Sequence, residues 1–122
     1  MNFNLKTSSE AAEILKQLQA STSITPNILI RYAVSLSLKD PSPVEYMKKE
    51  PQGGLLLNRN TVTGEFDFVF HALIAQHSNR QISDKEYFPG LFSAHLERGI
   101  RLLSSEYKVS GSYEKFIRLL IQ

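Results

Sequence analysis

The sequence contains no cysteine among its 122 residues. That absence excludes disulfide bonds, cysteine-based zinc sites, thiol nucleophiles and the carriage of sulfur as a cysteine persulfide. Long apolar runs are also missing, since none approaches the roughly 18 to 20 residues that span a bilayer. The first residues lack the charged-then-apolar order of a secretory signal. The sequence therefore predicts a cytoplasmic protein without a membrane partner.

Patterns that support catalysis are equally scarce. The three histidines, His71, His77 and His95, do not have the spacing of a helical zinc motif. Gly53-Gly54 lacks the lysine and the hydroxyl residue of a phosphate-binding loop, and no serine lies in a nucleophile elbow. We therefore expect a protein that is not an enzyme and has no metal or cofactor. For His95, on an apolar stripe, a hydrogen-bonded position in the core or an interface is favoured.

Two pairs of acids could hold magnesium, namely Glu65 with Asp67 and Asp84 with Glu86. Acids in the first turn of a helix also stabilise the helix dipole. Neither pair is accompanied by a second supporting motif, so the helix-start interpretation is favoured over metal binding.

The composition is that of one soluble globular domain covering residues 1–122. The chain has a mass of 13.8 kDa, with 42% hydrophobic and 21% charged residues. Its 14 basic and 12 acidic residues give a formal charge of only +2. Because so small a charge produces no strong field, binding to nucleic acid would depend on how the basic residues are distributed or on an oligomer.

Residues 3–38 have the pattern of a short strand followed by two helices. Phe3 and Leu5 alternate with polar residues, as on a half-buried strand. Ser8 or Ser9 can then cap a first amphipathic helix. The fold class predicted for the chain is mainly α, in a small single domain.

The second helix of this unit begins near Thr25 and Pro26, because threonine can cap a helix and proline suits its first turn. Apolar residues surround most of its circumference, which predicts a central position or burial in an oligomer contact. Asp40-Pro41 ends the helix, since proline disfavours the helical conformation of the preceding residue.

Residues 39–64 are predicted to form a surface loop or a small hairpin, the hairpin falling at residues 55–63. The apolar spacing beyond them fits either a strand or a helix as far as residue 70. We favour a helix over residues 65–78, because the helical spacing continues without a breaker. Residues 65–122 as a whole are predicted to contribute the C-terminal helices.

A long helix is predicted from Asp84 onward, capped by Ser83 or Asp84, with Pro89 in its first turns. Its apolar residues recur every three or four positions as far as Leu103. Gly111 interrupts this pattern, and a short amphipathic helix follows it.

The order strand, helix, helix is that of ribbon-helix-helix DNA-binding proteins, in which strands of two chains pair and enter the major groove. Asn2, Asn4 and Lys6 would then face the groove. The alternative is that these three residues are ordinary solvent-facing residues of a chain terminus.

Basic residues throughout the chain could contact DNA phosphates. The candidates are Lys6, Lys16, Arg31, Lys48, Lys49, Arg98 and Arg101. Each could equally belong to a solvated face. Lys48-Lys49 is the best placed pair, because it lies in a predicted loop, whereas Arg31 has apolar neighbours and could instead pair with a buried acid.

Two stretches of the sequence resemble the DNA sulfur modification family DndE. One is residues 22–38 with the following Pro41-Ser42, and the other is the motif His95-Leu96-Glu97-Arg98-Gly99-Ile100. With residues 5–18, the similarity covers nearly the whole chain. It implies a subunit of the machinery that replaces a non-bridging phosphate oxygen of DNA with sulfur, beside a desulfurase, a sulfurtransferase and an ATPase-like partner. It also implies binding to duplex DNA, including nicked duplex, and self-assembly.

Two departures from the family pattern are Ile30, where cysteine is common, and Tyr32, where tryptophan is common. A sulfur carrier needs a thiolate, so this chain cannot pass sulfur along. Gly99 is expected to allow close helix packing. The function predicted is therefore a non-catalytic, homo-oligomeric DNA-binding subunit that assembles through its second and long helices. The alternatives are an adaptor that holds the partner subunits together, and a ribbon-helix-helix repressor of its own operon.

Overall fold

The computed structural model describes residues 3–45, 51–111 and 113–121. These residues form a mainly helical domain with a two-stranded sheet near its start, which confirms the predicted fold class. In chain order the elements are β1 (Asn4–Ser8), α1 (Ser9–Thr22), α2 (Pro26–Lys39), β2 (Gly53–Asn58), α3 (Arg59–Thr63), α4 (Asp67–Ser78), α5 (Phe92–Ser110) and α6 (Tyr113–Leu120).

The predicted order of strand, helix and helix is confirmed, and its boundaries follow from local capping. Ser8 precedes α1, and its hydroxyl oxygen accepts a hydrogen bond from the Ala11 amide at 3.0 Å. Pro26 begins α2, and the helix ends at Asp40 beside Pro41.

The strand β1 finds its partner within the same chain. It pairs antiparallel with β2, so that Leu5 lies opposite Leu57. The ribbon-helix-helix interpretation instead required a strand from a second chain, and the repressor alternative loses that structural basis. Asn4 and Lys6 lie on the more exposed side of β1, as predicted, whereas Phe3 is exposed and does not join Leu5 in the core.

The small hairpin predicted at residues 55–63 is wrong. Residues as far as Asn58 pair with β1, and the chain then turns into α3. The Asn58 side-chain oxygen accepts hydrogen bonds from the amides of Asn60 and Thr61, at 2.9 and 3.3 Å, and so caps that short helix. The helix predicted at residues 65–78 is confirmed as α4, preceded by a 3-10 turn at Gly64–Phe66.

The long helix predicted from Asp84 is interrupted before α5. Ser83 and Glu86 form a capping box, with 3.1 and 3.2 Å hydrogen bonds, so the helical start is confirmed. Phe88 is extended, with φ −131° and ψ 122°, and is joined to Pro89 by a cis peptide bond. The helix breaks there because a residue before proline is disfavoured in the helical region.

The core lies mainly where α2 crosses α5. Leu29, Ile30 and Val34 of α2 are fully buried, as are Leu96 and Ile100 of α5. Both apolar faces therefore serve the interior of the chain. No described helix combines the length and the apolar character needed to cross a membrane.

Close approach of α2 and α5 depends on Gly99. A Cβ atom at Gly99 would lie 1.9 Å from the Ala33 carbonyl oxygen. Only glycine fits this contact without movement of the backbone, which confirms the packing role predicted for Gly99.

Candidate functional site

The histidine of the motif at residues 95–100 is buried and hydrogen-bonded, as predicted. His95 Nδ1 lies 2.8 Å from the Ser37 hydroxyl, at the end of α2. Burial lowers the pKa of His95 to about 4, and the nearby His77 and Arg98 add to this effect. The ring is therefore neutral at neutral pH. Its Nε2 atom makes no hydrogen bond to the described residues.

Arg98 binds the C-terminal end of α2. Its Nε donates to the Ser37 hydroxyl at 2.8 Å, and Nη2 donates to the Ser37 carbonyl at 2.6 Å. Nη1 donates to the Ser42 carbonyl at 2.7 Å. The guanidinium thus satisfies carbonyls at the negative end of a helix dipole. These contacts explain the position of Arg98 without DNA, and a phosphate contact by Arg98 stays a prediction.

His77 fixes the same end of α2 from the side of α4. Its Nε2 lies 2.7 Å from the Asp40 carbonyl oxygen and 3.5 Å from Arg98 Nη2. One ring nitrogen cannot donate to Asp40 and accept from Arg98 at the same time, and the shorter distance indicates donation to Asp40. The backbone amide of Ser42 donates to the Asp40 side chain and, as the main cause, lowers the pKa of that carboxyl.

Glu97 connects the same motif to the start of the chain. Its carboxylate is buried and accepts hydrogen bonds from the Ser8 amide at 3.1 Å and the Ser8 hydroxyl at 2.5 Å. The Ser8 oxygen also caps α1, so one serine joins β1, α1 and α5. We call His95, Glu97 and Arg98, with Ser8 and Ser37, the α5 cluster.

Arg101 lies on the surface between α1 and α5. Its Nε and Nη2 atoms are each 3.3 Å from a carboxylate oxygen of Glu10, and Nη1 donates to the Glu97 carbonyl at 2.8 Å. The side chain is about half exposed. Lys16 is exposed on α1 and Lys6 is partly exposed on β1. Lys48 and Lys49 lie outside the described residues.

Arg31 lies against the end of α3. Its Nε donates to the Val62 carbonyl at 2.7 Å, and Nη2 donates to the Thr61 carbonyl at 3.1 Å. The guanidinium carbon is 5.9 Å from the centre of the Phe66 ring. Within the described ranges no carboxylate contacts Arg31, so its alternative partner is a pair of carbonyls rather than the buried acid considered from the sequence.

A second cluster surrounds Arg59, which sequence reasoning did not single out. Arg59 Nε lies 2.9 Å from Asp67, and Nη2 lies 2.7 Å from Asp84. The guanidinium carbon is 5.1 Å from the centres of the Tyr87 and Phe88 rings. We call these five residues the Arg59 cluster. It joins α3, α4 and the turn before α5.

Asp67 and Asp84, considered above as metal ligands or helix-start acids, are ion-pair partners of an arginine. Hydrogen bonds from Arg59 lower the pKa of both carboxyl groups. Burial, with the charge of Asp67, raises the pKa of Tyr87. Over the part of the chain that the structure describes, no three metal-binding side chains come together. No spacing in the sequence signalled this cluster, because its members are separated by up to 29 positions.

The fold and these contacts define a small helical protein whose motif residues hold its elements together, with separate cations on its surface. The family model for the DNA sulphur modification protein DndE matches residues 4–111. The chain therefore belongs to the DndE family, which acts in DNA phosphorothioation. The resemblance of residues 22–38 and 95–100 to this family implied the same.

Two crystal structures share the fold. DndE from Escherichia coli B7A, involved in DNA phosphorothioation modification, has a TM-score of 0.66 and 27% identity, over 84% of this chain and 98% of that one. A DndE variant with glycine-to-lysine substitutions, involved in DNA phosphorothioation, has a TM-score of 0.64 and 28% identity, over 86% and 99%. No curated protein sequence matches the chain.

Proposed function

We propose that the protein is a non-catalytic accessory subunit of the DNA phosphorothioation system, working in the cytoplasm. It binds duplex DNA, including nicked duplex, through the phosphate backbone, and acts as a homo-oligomer beside the other subunits. Membership of the DndE family over residues 4–111 carries this proposal. The solved relative from Escherichia coli B7A, which is involved in DNA phosphorothioation modification, points to the same pathway.

The chemistry of the polar residues supports binding rather than catalysis. The chain has no cysteine and so has no thiolate that could carry sulfur. The carboxylates of Asp67 and Asp84 are occupied by Arg59, and that of Glu97 is occupied by Ser8. His95, with its lowered pKa, is fully buried and cannot reach a substrate at the surface.

Three of the candidate cations, Lys6, Lys16 and Arg101, lie at the surface, although Arg101 also contacts Glu97. Lys16 on α1 and Arg101 on α5 are accessible to solvent. The two helices are neighbours, since Arg101 contacts Glu10 at the start of α1. Lys6 precedes the same helix on β1. Glu10 neutralises part of the charge of Arg101, so each copy would contribute only a few phosphate contacts. An oligomer that repeats them along the duplex would raise the affinity.

The proposal is tested by a salt series of binding measurements on intact and nicked versions of one duplex. The variant Lys48→Gln/Lys49→Gln removes the lysine pair that sequence reasoning favoured. Removing one lysine–phosphate ion pair should lower the salt slope by about 1, so the double variant should lower it by about 2. Lys85→Gln is the matched control, because Lys85 is an exposed lysine outside the proposed set.

The wild-type protein should bind both duplexes with a salt-dependent affinity, and its mass in the same buffer should exceed that of one chain. Failure to bind either duplex at moderate salt would contradict the DNA-binding proposal. A double variant with an unchanged slope would remove Lys48 and Lys49 from the contact set while leaving the function in place.

The second candidate function is an adaptor that holds the sulfurtransferase and the ATPase-like subunit together without binding DNA. Exposed apolar residues on α4 favour it: Phe68 is 82% exposed, and Val69 and Leu73 lie one and five positions further on. Such a row is typical of protein contacts. α2 and α5, the helices expected to form the oligomer, pack on each other within the chain. Co-purification of the partner subunits after nuclease treatment, abolished in Phe68→Ser, would support the adaptor.

A further inference from the structure

A surface cleft lies between α2 and the beginning of α4. Its volume is about 250 Å³. The residues that line it are Ile28, Arg31, Tyr32, Ser35, Phe66 and Phe70. None of them belongs to the α5 cluster or the Arg59 cluster, and the proposed phosphate contacts use only Arg31 among them.

Half of the residues that line the cleft are aromatic. Phe70 is buried and held edge-on against Phe92, with ring centres 5.8 Å apart, so it forms a rigid part of the wall. Tyr32 is partly buried and Phe66 is 45% exposed. A flat aromatic group that enters the cleft would therefore meet aromatic side chains, of which Phe66 is the most accessible and already has the Arg31 guanidinium carbon 5.9 Å from its ring centre.

The cleft also carries a positive charge that no acid neutralises within the described ranges. Arg31 is held in place by carbonyl oxygens of α3 through Nε and Nη2. Across the same ranges it forms no salt bridge, and its Nη1 makes no hydrogen bond. A Cβ atom at Gly64 would lie 2.7 Å from Arg31 Nη2, so the chain passes close to the guanidinium and fixes its position. A rigid cation beside an aromatic wall is suited to a ligand that is both planar and anionic.

We propose that this cleft receives one unstacked nucleobase of the bound DNA, at a nick or a strand end, with Arg31 beside the adjoining phosphate. The proposal rests on the proposed DNA-binding function and names the part of the DNA that the cleft recognises. Proteins that bind unpaired strands commonly combine a cationic groove with aromatic side chains on which bases stack. The Ser35 and Tyr32 hydroxyl groups add polar atoms for a base edge.

The size and charge of the cleft favour a base over a protein segment. A volume of about 250 Å³ is below the roughly 300 to 1,000 Å³ of pockets for drug-sized ligands, and it accommodates a single ring system. An apolar protein helix would leave Arg31 facing an uncharged surface. A nucleotide supplies the phosphate that a guanidinium binds well.

The experiment compares Phe66→Ala with wild type on intact and nicked duplexes, the nick being flanked by the fluorescent adenine analogue 2-aminopurine. Phe3→Ala is the matched control, since Phe3 is a phenylalanine of similar exposure, 49%, at the N-terminal strand. Phe66→Trp retains an aromatic surface. Removal of one stacked ring should weaken binding to nicked duplex roughly 5-fold to 100-fold.

Support for the cleft requires that Phe66→Ala weakens binding to nicked DNA only, with the affinity and salt slope on intact duplex unchanged because the basic residues all remain. The change in 2-aminopurine emission on binding should disappear in Phe66→Ala and persist in Phe66→Trp and Phe3→Ala.

Two outcomes would overturn the cleft proposal while the DNA-binding function stands. In one, Phe66→Ala and Phe3→Ala bind nicked DNA like wild type. In the other, Phe66→Ala weakens binding to both duplexes equally and lowers the oligomeric mass, which would identify an interface between copies. Wild-type protein that binds neither duplex would overturn both proposals.

Discussion

The α5 cluster and the Arg59 cluster both place a guanidinium at the junction of several elements, but they neutralise it differently. Arg98 donates to carbonyls and a hydroxyl at the end of α2. Arg59 binds the carboxylates of Asp67 and Asp84. Arg98 lies 3.8 Å from the Asp40 carboxylate but is held mainly by neutral acceptors that the packing of α2 on α5 brings close, whereas Arg59 is held by two ionised acids. The two should respond differently to added volume and to pH.

The largest effect is expected where the backbones of α2 and α5 meet. In Gly99→Ala the new Cβ would lie 1.9 Å from the Ala33 oxygen and 2.3 Å from its carbon, so one helix must move. We expect the free energy of unfolding to fall by about 3 kcal/mol. Urea unfolding followed by circular dichroism measures this change.

Gly111→Ala is the control for Gly99→Ala. Gly111 has a φ of 72° with nothing within 4 Å of an added Cβ, so its cost is backbone strain alone. That cost should be about 1 to 2 kcal/mol. Equal losses in the two variants would show that contact with Ala33 does not limit the approach of the helices.

The Arg59 cluster should show the next largest effect. In Arg59→Met two carboxylates lose their partner, which costs about 3 to 5 kcal/mol when the remaining charge is fully buried. Asp67 and Asp84 are 33% and 40% exposed, so water reduces the loss to about 2 to 3 kcal/mol. Urea unfolding at pH 7 measures it.

The pH dependence identifies the cause of that loss. The folded protein lowers the pKa of Asp67 and Asp84, so their contribution is present above the unfolded value of about 4. It is lost as the pH falls through the lowered folded values. The difference between wild type and Arg59→Met should therefore shrink in acid. A difference that stays constant down to about pH 2, below the unfolded values, would indicate impaired packing against Tyr87 and Phe88 instead.

The α5 cluster should lose stability at a higher pH, through His95. Its pKa falls from about 6.5 in the unfolded chain to about 4 in the fold, so the unfolded chain binds the proton more tightly. Stability is complete above pH 6.5 and declines between pH 6.5 and 4. The loss between about pH 7 and pH 5 should be about 2 kcal/mol.

His95→Gln removes the titrating ring and should flatten the pH dependence over that range, although it lowers stability at neutral pH. Any slope that remains over the same range in this variant reports groups other than His95. If His95→Gln and wild type decline in parallel, the proton is taken up elsewhere.

Local sequence patterns predict the elements whose boundaries depend on neighbouring residues, and fail for those that depend on distant ones. α1 and α2 were predicted well, because Ser8 and Pro26 act on the residues next to them. β2 was not, because its partner β1 lies about 50 positions earlier and no local pattern specifies that pairing. The predicted long helix begins too early, because the apolar spacing continues through Phe88 although the helical conformation is interrupted at Phe88, before Pro89.

The residues of the candidate site likewise separate into those that the sequence indicated and those that it did not. Three members of the α5 cluster, His95, Glu97 and Arg98, lie in the stretch that resembles the DndE motif, and burial of His95 follows from its apolar stripe. The partners of Arg98 were missed, because most of them are backbone carbonyls, which leave no trace in residue type, and the others lie about 60 positions earlier in the chain. Arg59 was missed entirely, since its acids come together only through the arrangement of α3, α4 and the following turn.

The smallest effect on stability is expected at Arg101, which contrasts with Arg98 one helical turn away. Arg101 is half exposed and its ion pair with Glu10 is open to water, while its Nη2 lies 4.0 Å from the buried Glu97 carboxylate, so Arg101→Gln should lower the free energy of unfolding by about 1 kcal/mol or less. If Arg101 contacts a phosphate, the same variant lowers the salt slope of DNA binding by about 1. Arg98→Gln should do the reverse, lowering stability by about 1.5 kcal/mol or more while leaving the slope unchanged, because its guanidinium binds carbonyls inside the protein. A lower slope in Arg98→Gln with full stability would assign Arg98 to the DNA instead of the fold.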